Sequence, residues 1–437
     1  MKPVRTIAAG AGFAGDRIDP AVALAASGVV DTVVLECLAE RTIVPGLRAQ
    51  RANPEAGHDP RLKRRLSPLL PVASKNKCRI ISNLGAANAA AAGRAIGRLA
   101  KDLDCKGLKV AAVIGDDMMG RQDKIAWDVS FNGELLGARA YLGMAGINEA
   151  IDGGADVIVT GRVADSALFA ADLVPHLQPG DDALAGAVAV GHLLECAGHL
   201  TGGNYEGPGG GGLSAEEFAN LAYPLARVNA DGSAEIGILD NAPGLLNVLN
   251  CTLQLLYEVH DPSRYITPDA ILDFTGVRFT QTGPNRVHMT GARITGRPTH
   301  LKVSGFVEYD GCIADVELGF AGKGALDRAR TSVDTLKRRL SNWSPESMRI
   351  DVVGIDSILG GASLSAPADL PEARVHISAR CDDLEAAQII EDEVIALTVS
   401  GPAGGGSIRS ERRPRVEVVS GLIPRELVPT RIEWSLS

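Results

Sequence analysis

Gly10-Ala-Gly-Phe-Ala-Gly-Asp-Arg17 is the stretch whose reading decides the fold. It follows a short apolar run, residues 4–9, and precedes an amphipathic stretch, residues 18–27. A strand, a glycine-rich turn and a helix fit that order. Glycines at 10, 12 and 15 let backbone N–H groups approach a ligand closely. The spacing G-x-G-x-x-G matches a dinucleotide fingerprint, and Glu36, at the end of the run 32–35, supplies the acid that fingerprint needs. Asp16 speaks against it. Its carboxylate falls where a helix N-terminus would meet a pyrophosphate, so the sequence disfavours NAD. Gly12, Asp16 and Arg17 are instead expected to bind a polar or anionic small molecule.

Apolar runs recur at 32–35, 78–82, 108–114 and 156–160, with helical patterns between them, clearest at 86–103 and 144–153. The alternation predicts an α/β fold whose N-terminal domain, residues 1–224, is a doubly wound, mostly parallel sheet. Ligands gather at the carboxyl ends of such strands. The residues following each run carry both charge signs: Asp16 and Arg17; Glu36, Cys37, Glu40 and Arg41; Asn83, Gly85 and Asn88; Asp116 and Asp117; Arg162, Asp165 and Ser166. Turns need polar residues too, but five clusters at one edge exceed what capping requires. Residues 181–200 read as one helix, followed by Thr201, Asn204 and a glycine-rich loop, 207–212, long enough for a lid or linker. Beyond residue 225, strand-like runs at 235–239, 286–290, 301–308 and 312–320 and two helices, 325–340 and 384–399, predict a C-terminal α+β domain, residues 225–437.

The 437 residues carry a net charge of −9 without a long basic run, which argues against nucleic acid and anionic membrane surfaces as partners. Strand-sized apolar runs and an unremarkable N-terminus predict neither a membrane span nor a signal peptide. Seven scattered cysteines without a CxxC pair fit free thiols in a reducing cytoplasm. The basic cluster 61–65 reads as a solvated helix face.

Several constellations bear chemistry. His192, Glu195, Cys196 and His199 share one face of a helix and include metal-ligating groups, although a buried polar seam is the favoured reading. Asp116 and Asp117 offer a cation site or a raised-pKa acid. Arg162 suits a bidentate clamp on a carboxylate or phosphate. Asp165 is a good N-cap, and Ser166 with the free N–H groups of its helix suits an oxyanion. Cys37, between two acids, reads as structural, which leaves Glu36 as the better base. Residues 401–407 read as a glycine-rich turn. GxSxG, a P-loop and HExxH are all missing, so serine hydrolase, nucleotidase and zincin readings lack support.

The stretches 10–17 with 36–42, Thr160-Gly-Arg-Val-Ala-Asp-Ser166, Gly191-His-Leu-Leu-Glu-Cys196 with Thr201-Gly-Gly203, Leu256-Tyr-Glu-Val-His-Asp-Pro262, Asp273-Phe-Thr-Gly-Val277 and Gly401-Pro-Ala-Gly-Gly-Gly406 together resemble the acyclic terpene utilisation AtuA-like family. The resemblance spans nearly the whole chain. It implies bacterial catabolism of citronellol- and geraniol-type terpenes, a pathway running on branched acyl-CoA thioesters, and an association with a small partner domain. It carries over to His192, Glu195 and Cys196, but members more often have Gln at the position of His199. Residues 240–247 also depart from the Gly-Thr-Gly-Gly-like segment of other members.

The expected function is a cytoplasmic, oligomeric lyase or hydratase acting on a small carboxylate or its CoA thioester. Glu36 or Asp116 would be the base, Arg17 or Arg162 the anion anchor, and Asp165 and Ser166 catalytic. Gly12, Asp16, Arg17, Asn83, Asn88, Thr201 and Asn204 would bind substrate. A divalent metal, on His192, Glu195, Cys196 and His199, is the cofactor alternative. The functional alternative is a half-site subunit that binds an acyl ligand and needs a partner protein.

Overall fold

The structure, a computed structural model, describes residues 3–207, 212–344, 347–360 and 370–436. Glycines 208–211 of the expected lid or linker lie outside the described residues. The fold is mixed α/β. The chain forms two compact units, one made of Met1–Val129, Leu136–Gly305 and Val418–Ser437, the other of Ser130–Leu135 and Phe306–Glu417. Residue 224 therefore falls inside the first unit. The physical reason is strand pairing: Leu225–Val228 adds antiparallel to Arg5–Ala11 and carries the sheet onward.

The first unit is built on a ten-stranded sheet. Its parallel part has five strands, in the spatial order Arg5–Ala11, Thr32–Leu35, Arg79–Ser82, Val157–Thr160 and Lys109–Ile114. All four residues of Thr32–Leu35 and of Val157–Thr160 are buried, as expected of strands covered on both faces. The expectation of a mostly parallel sheet is corrected by the flanks. Leu225–Val228, Ala234–Gly237, Arg286–Thr290 and Arg278–Gly283 extend one edge antiparallel. The C-terminal strand Arg431–Leu436, absent from the sequence reading, pairs antiparallel with Lys109–Ile114 at the other.

Helix Asp165–Leu173 is buried along its length from Ser166 onward and is central to the unit. Near its C-terminal end, the fully buried Asp172 accepts hydrogen bonds from Arg5 Nε (2.7 Å), Thr32 Oγ1 (2.6 Å) and Arg79 Nη1. These are the first residues of three adjacent parallel strands, so one carboxylate ties their amino ends together. Arg61, Lys63 and Arg64 of the cluster 61–65 are exposed as expected, and Arg65 is the exception. It is 2% exposed and donates to the carbonyl of Ala14 at 2.7 Å, bracing the glycine-rich turn from below.

In the second unit Glu372–Cys381 lies between Met348–Val353 and the distal half of His300–Ala321, all antiparallel. One continuous strand replaces the two expected at 301–308 and 312–320. Alternate residues of these strands pack against helices Ala325–Arg339 and Leu384–Ser400 to form a core of Val316, Leu318, Val375, Ile377, Leu336, Ile390 and their neighbours. No helix among the described residues is long and apolar enough to cross a membrane.

Candidate functional site

The sequence-nominated turn turns out to be filled by the protein itself. A Cβ on Gly12 would lie 2.5 Å from the Glu195 carbonyl oxygen and 2.4 Å from the Cys196 carbonyl carbon, so the glycine is required by its own chain. The Gly12 N–H donates to Asp16 Oδ2 at 2.7 Å. A dinucleotide pyrophosphate does not fit there, because the amide is already occupied by a carboxylate. Arg17 pairs with Asp19 and reaches the Phe218 carbonyl. Asn88 caps helix Ala89–Asp102 and donates to the Pro54 and Ala56 carbonyls. Thr201 donates to the Ala222 carbonyl at 2.6 Å, and Asn204 is exposed in a left-handed conformation. Gly12, Asp16, Arg17, Asn88 and Thr201 are thus each engaged by the protein's own chain.

Other strand ends do converge. Glu36, after Thr32–Leu35, accepts hydrogen bonds from Asn83 Nδ2 and Leu38 N, both at 2.9 Å. Asn83, after Arg79–Ser82, uses its own oxygen to accept from Cys37 N at 2.7 Å. Burial, then the Asp165 charge, push Glu36 up to about 8, with Arg162 opposing them. Arg162, 2% exposed, donates to Asp165 Oδ1 at 2.9 Å and stacks over the Tyr141 ring at 4.7 Å. Asp116 holds the Arg162 backbone N–H at 2.9 Å but faces Arg139 (3.6 Å) and opens on a different cavity, with Asn88, Asp117 and Arg139 in its lining. The expected five-cluster mouth is thus divided: Asp165 and Ser166 line one cavity, Asn88, Asp116 and Asp117 another, and Arg17, Glu36, Asn83 and Arg162 are in the lining of neither.

The better-formed cavity has a volume of about 250 Å³. Its polar wall is Asp165, Ser166, His192, Glu195, Glu258 and Lys302, and its apolar wall includes Tyr265, Ile266, Pro268, Leu301 and Leu422. Asp165 is the first residue of its helix. The N-cap is Ala164, not Asp165, and it provides no side-chain cap; the Ala167 N–H donates to the Ala164 carbonyl at 2.9 Å, which leaves those of Asp165 and Ser166 as the free N–H groups of the first turn. Ser166 is 2% exposed and lines the cavity.

Helix Asp181–Leu194 ends six residues earlier than expected, because Ala197 takes a positive φ of 43° and the chain turns. That breaks the shared helix face. His192 and Glu195 stay together, with Nδ1 2.8 Å from Oε1. His199 instead packs its ring edge-on to Tyr257, and burial raises the Cys196 thiol out of thiolate range. Among the described residues no group of three or more His, Cys, Asp or Glu is arranged to hold a metal ion. The His192 Nε2 faces the Leu255 carbonyl at 3.2 Å and must carry hydrogen. Nδ1 faces Glu195 Oε1 and also has the Tyr265 hydroxyl at 3.3 Å. Burial brings Glu195 up to about 7 against the pull of His192, whose imidazolium is in turn favoured by Glu195.

Sequence reasoning missed Tyr141, Glu258, Tyr265 and Lys302 as site residues. Glu40 accepts from Ser304 Oγ (2.7 Å), Tyr141 Oη (2.8 Å) and Lys302 Nζ (3.1 Å), which keeps it ionised and fixes Lys302 at the cavity. For Glu258 the signal was the stretch Leu256–Pro262 that carries the family resemblance, and for Tyr141 it was position. Tyr141 directly follows strand Glu134–Ala140, as Glu36 and Asn83 follow theirs, whereas Tyr265 and Lys302 lie within strands.

Glu36 makes stability depend on pH. Its proton is held more tightly in the folded chain (about 8) than at the ordinary 4.5 of an unfolded one. Its contribution is full below the lower value and is lost as pH rises through the upper. Glu36→Gln is expected to flatten that fall and to be more stable than the parent above pH 8 by about 3 kcal/mol. Denaturant midpoints measured across this pH range check it.

The class of protein that the fold and cavity define is an α/β protein with a small cavity lined by Asp165, Ser166, His192, Glu195 and Glu258. The family model for "Acyclic terpene utilisation family protein AtuA" matches residues 5–434, and the chain belongs to that family. It has no match among curated proteins. Among solved structures, an amidase of the hydantoinase/carbamoylase family from Burkholderia phymatum is 13% identical over 28% of this chain, with a TM-score of 0.16. That match covers 32% of the amidase's own length. A homoserine dehydrogenase from S. aureus is 9% identical, with 90% of this chain and 82% of that one covered and a TM-score of 0.13.

Proposed function

We propose that the chain is a hydratase or lyase that adds or removes water across a carbon–carbon bond next to the carbonyl of a small carboxylate or branched acyl thioester. The observation that carries this reading is the pairing, within one cavity, of a near-neutral proton store and a helix N-terminus. His192 and Glu195, 2.8 Å apart, line one wall, where they would hold a transferable proton, and Asp165 and Ser166, which start helix Asp165–Leu173, line another. In the hydration direction Glu195 gives its proton to the α-carbon while Asp165, held by Arg162, takes a proton from the water that attacks the β-carbon. The helix N-terminus and the Ser166 hydroxyl bind the carbonyl oxygen as charge builds on it. Arg162 and the buried Glu36–Asn83 pair position Asp165 from below. The apolar wall suits a short branched hydrocarbon chain, and family membership supports a role in acyclic terpene utilisation.

The test is loss of the enoyl chromophore when the full chain is mixed with branched α,β-unsaturated acyl-CoA thioesters or the free acids. Ser166→Ala is expected to lower kcat about tenfold with a smaller change in KM, since its hydroxyl acts mainly on the developing charge. Unchanged kinetics in Ser166→Ala would remove the oxyanion role.

The half-site reading draws on the helix Val248–Leu256. Its outer face leaves Leu249, Leu253 and Leu256 exposed, next to exposed Tyr257 and the cavity residue Glu258. An isolated chain that is inert on every thioester, but active once a co-purifying protein is restored, would favour it.

A further inference from the structure

We propose that Cys312 and Cys381 of the second unit form a dithiol site that a low-molecular-weight disulfide converts to a cross-strand disulfide. The two residues are Cα partners in the antiparallel ladder between His300–Ala321 and Glu372–Cys381. Directly opposed residues of such a ladder put their side chains on the same face, with Cα atoms about 4.5–5.5 Å apart, inside the range a disulfide spans. Both point to the helix-covered face, where Cys312 continues the buried row Ala314, Val316 and Leu318, and Cys381 the row Ala379, Ile377 and Val375. None of the other five cysteines is paired with a cysteine in the strand registers.

The site also sits where the ladder ends. Gly311, just before Cys312, has a φ of 85°, and a Cβ there would meet the Cys381 carbonyl oxygen at 2.0 Å; the pairing with Glu372–Cys381 ends here, while strand His300–Ala321 itself runs on through Gly311. Asp382 and Asp383 then lead Cys381 directly into helix Leu384–Ser400. Terminal pairs open more readily than central ones, which gives a small oxidant access to thiols only 5% and 3% exposed.

The chemistry closes with glutathione disulfide as oxidant. One cysteine thiolate attacks a glutathione sulfur, which forms a mixed disulfide and releases one glutathione thiolate. The second cysteine thiolate attacks the protein sulfur of that mixed disulfide and releases the other. The two cysteine protons end on the two glutathiones, and the protein is oxidised by two electrons. Burial raises the Cys381 thiol to about 11, with Cys312 and the two aspartates adding to the effect, so exchange is slow at neutral pH and accelerates as pH rises.

The test uses the full chain, brought to equilibrium at mildly alkaline pH from both sides, reduced and oxidised, in glutathione buffers of graded ratio. Free thiols are then alkylated and the protein digested without reduction. The expected result is one cross-linked peptide pair joining Cys312 to Cys381, two of the seven thiols lost to alkylation, and faster formation at higher pH. Cys312→Ala and Cys381→Ala should each abolish the cross-link and leave the other five thiols unchanged. The unsubstituted chain decides the matter even if either variant folds poorly. Two thiols that stay alkylatable in the most oxidising buffer, separate glutathionylation of each, or a cross-link to another cysteine would overturn the proposal.

Discussion

Glu195→Gln is expected to lower kcat for hydration by about 10²–10⁴-fold while leaving KM within a few fold. The amide is isosteric and can still donate to His192 Nδ1, which lies 2.8 Å from the carboxylate oxygen, so the wall of the cavity keeps its shape. What disappears is the transferable proton. In the parent, Glu195 ionises at about 7, which places the group half-loaded near neutral pH. Where Glu195 acts as the acid, activity falls as pH rises through that value. In the reverse, dehydrating direction it acts as the base, and activity climbs over the same interval. Opposite limbs in the two directions, both flattened in Glu195→Gln, separate a proton donor from a residue that only supports the pocket.

Asp172→Ala is expected to cost about 3 kcal/mol of unfolding free energy in the transition of the first unit. Removing this fully buried carboxylate takes the counter-charge from Arg79 and leaves Arg5 only its longer pairing with Asp31, at 3.8 Å. Arg5 and Arg79 keep 18% and 20% exposure, so water offsets part of the loss and the figure sits at the low end for a broken buried pair. Asp172→Asn retains an acceptor for Thr32 and should lose less. The effect reaches the site as well. Asp172 and the pair Asp165 and Ser166 stand at opposite ends of one nine-residue helix, so loosening one end loosens the other. Chemical denaturation measures the stability term, and a raised KM for any substrate would report the displaced helix.

Much of the parallel core was legible because strands buried on both faces read as uninterrupted apolar runs. Thr32–Leu35 keeps its expected bounds, and Lys109–Ile114 and Val157–Thr160 shift by one residue. The order of the five strands also puts Glu36, Asn83 and Arg162 together, since Thr32–Leu35, Arg79–Ser82 and Val157–Thr160 are neighbours. Illegible was anything set by contact between remote segments. Gly12 looked like a ligand cradle because a sequence cannot show that residues 195 and 196 fill the space. Arg65 looked solvated because the Ala14 carbonyl that receives it is remote in sequence. The early stop of Asp181–Leu194 has no proline or helix-ending glycine at the break; Ala197 itself takes the left-handed turn. Antiparallel flanking strands alternate or run short, which is why Arg431–Leu436, exposed at both ends, escaped the reading.

The central claim is that the cavity beside helix Asp165–Leu173 moves a proton on the carbon next to an acyl carbonyl. Incubating the full chain in heavy water with a β-hydroxy-β-methyl acid, or with the β,β-dimethylacrylyl thioester of coenzyme A, tests it most directly. Mass spectrometry of the recovered acyl group should show deuterium at the α-carbon with the parent chain and only background with Glu195→Gln. Saturable binding of both compounds by the parent, with neither acquiring deuterium, would contradict it.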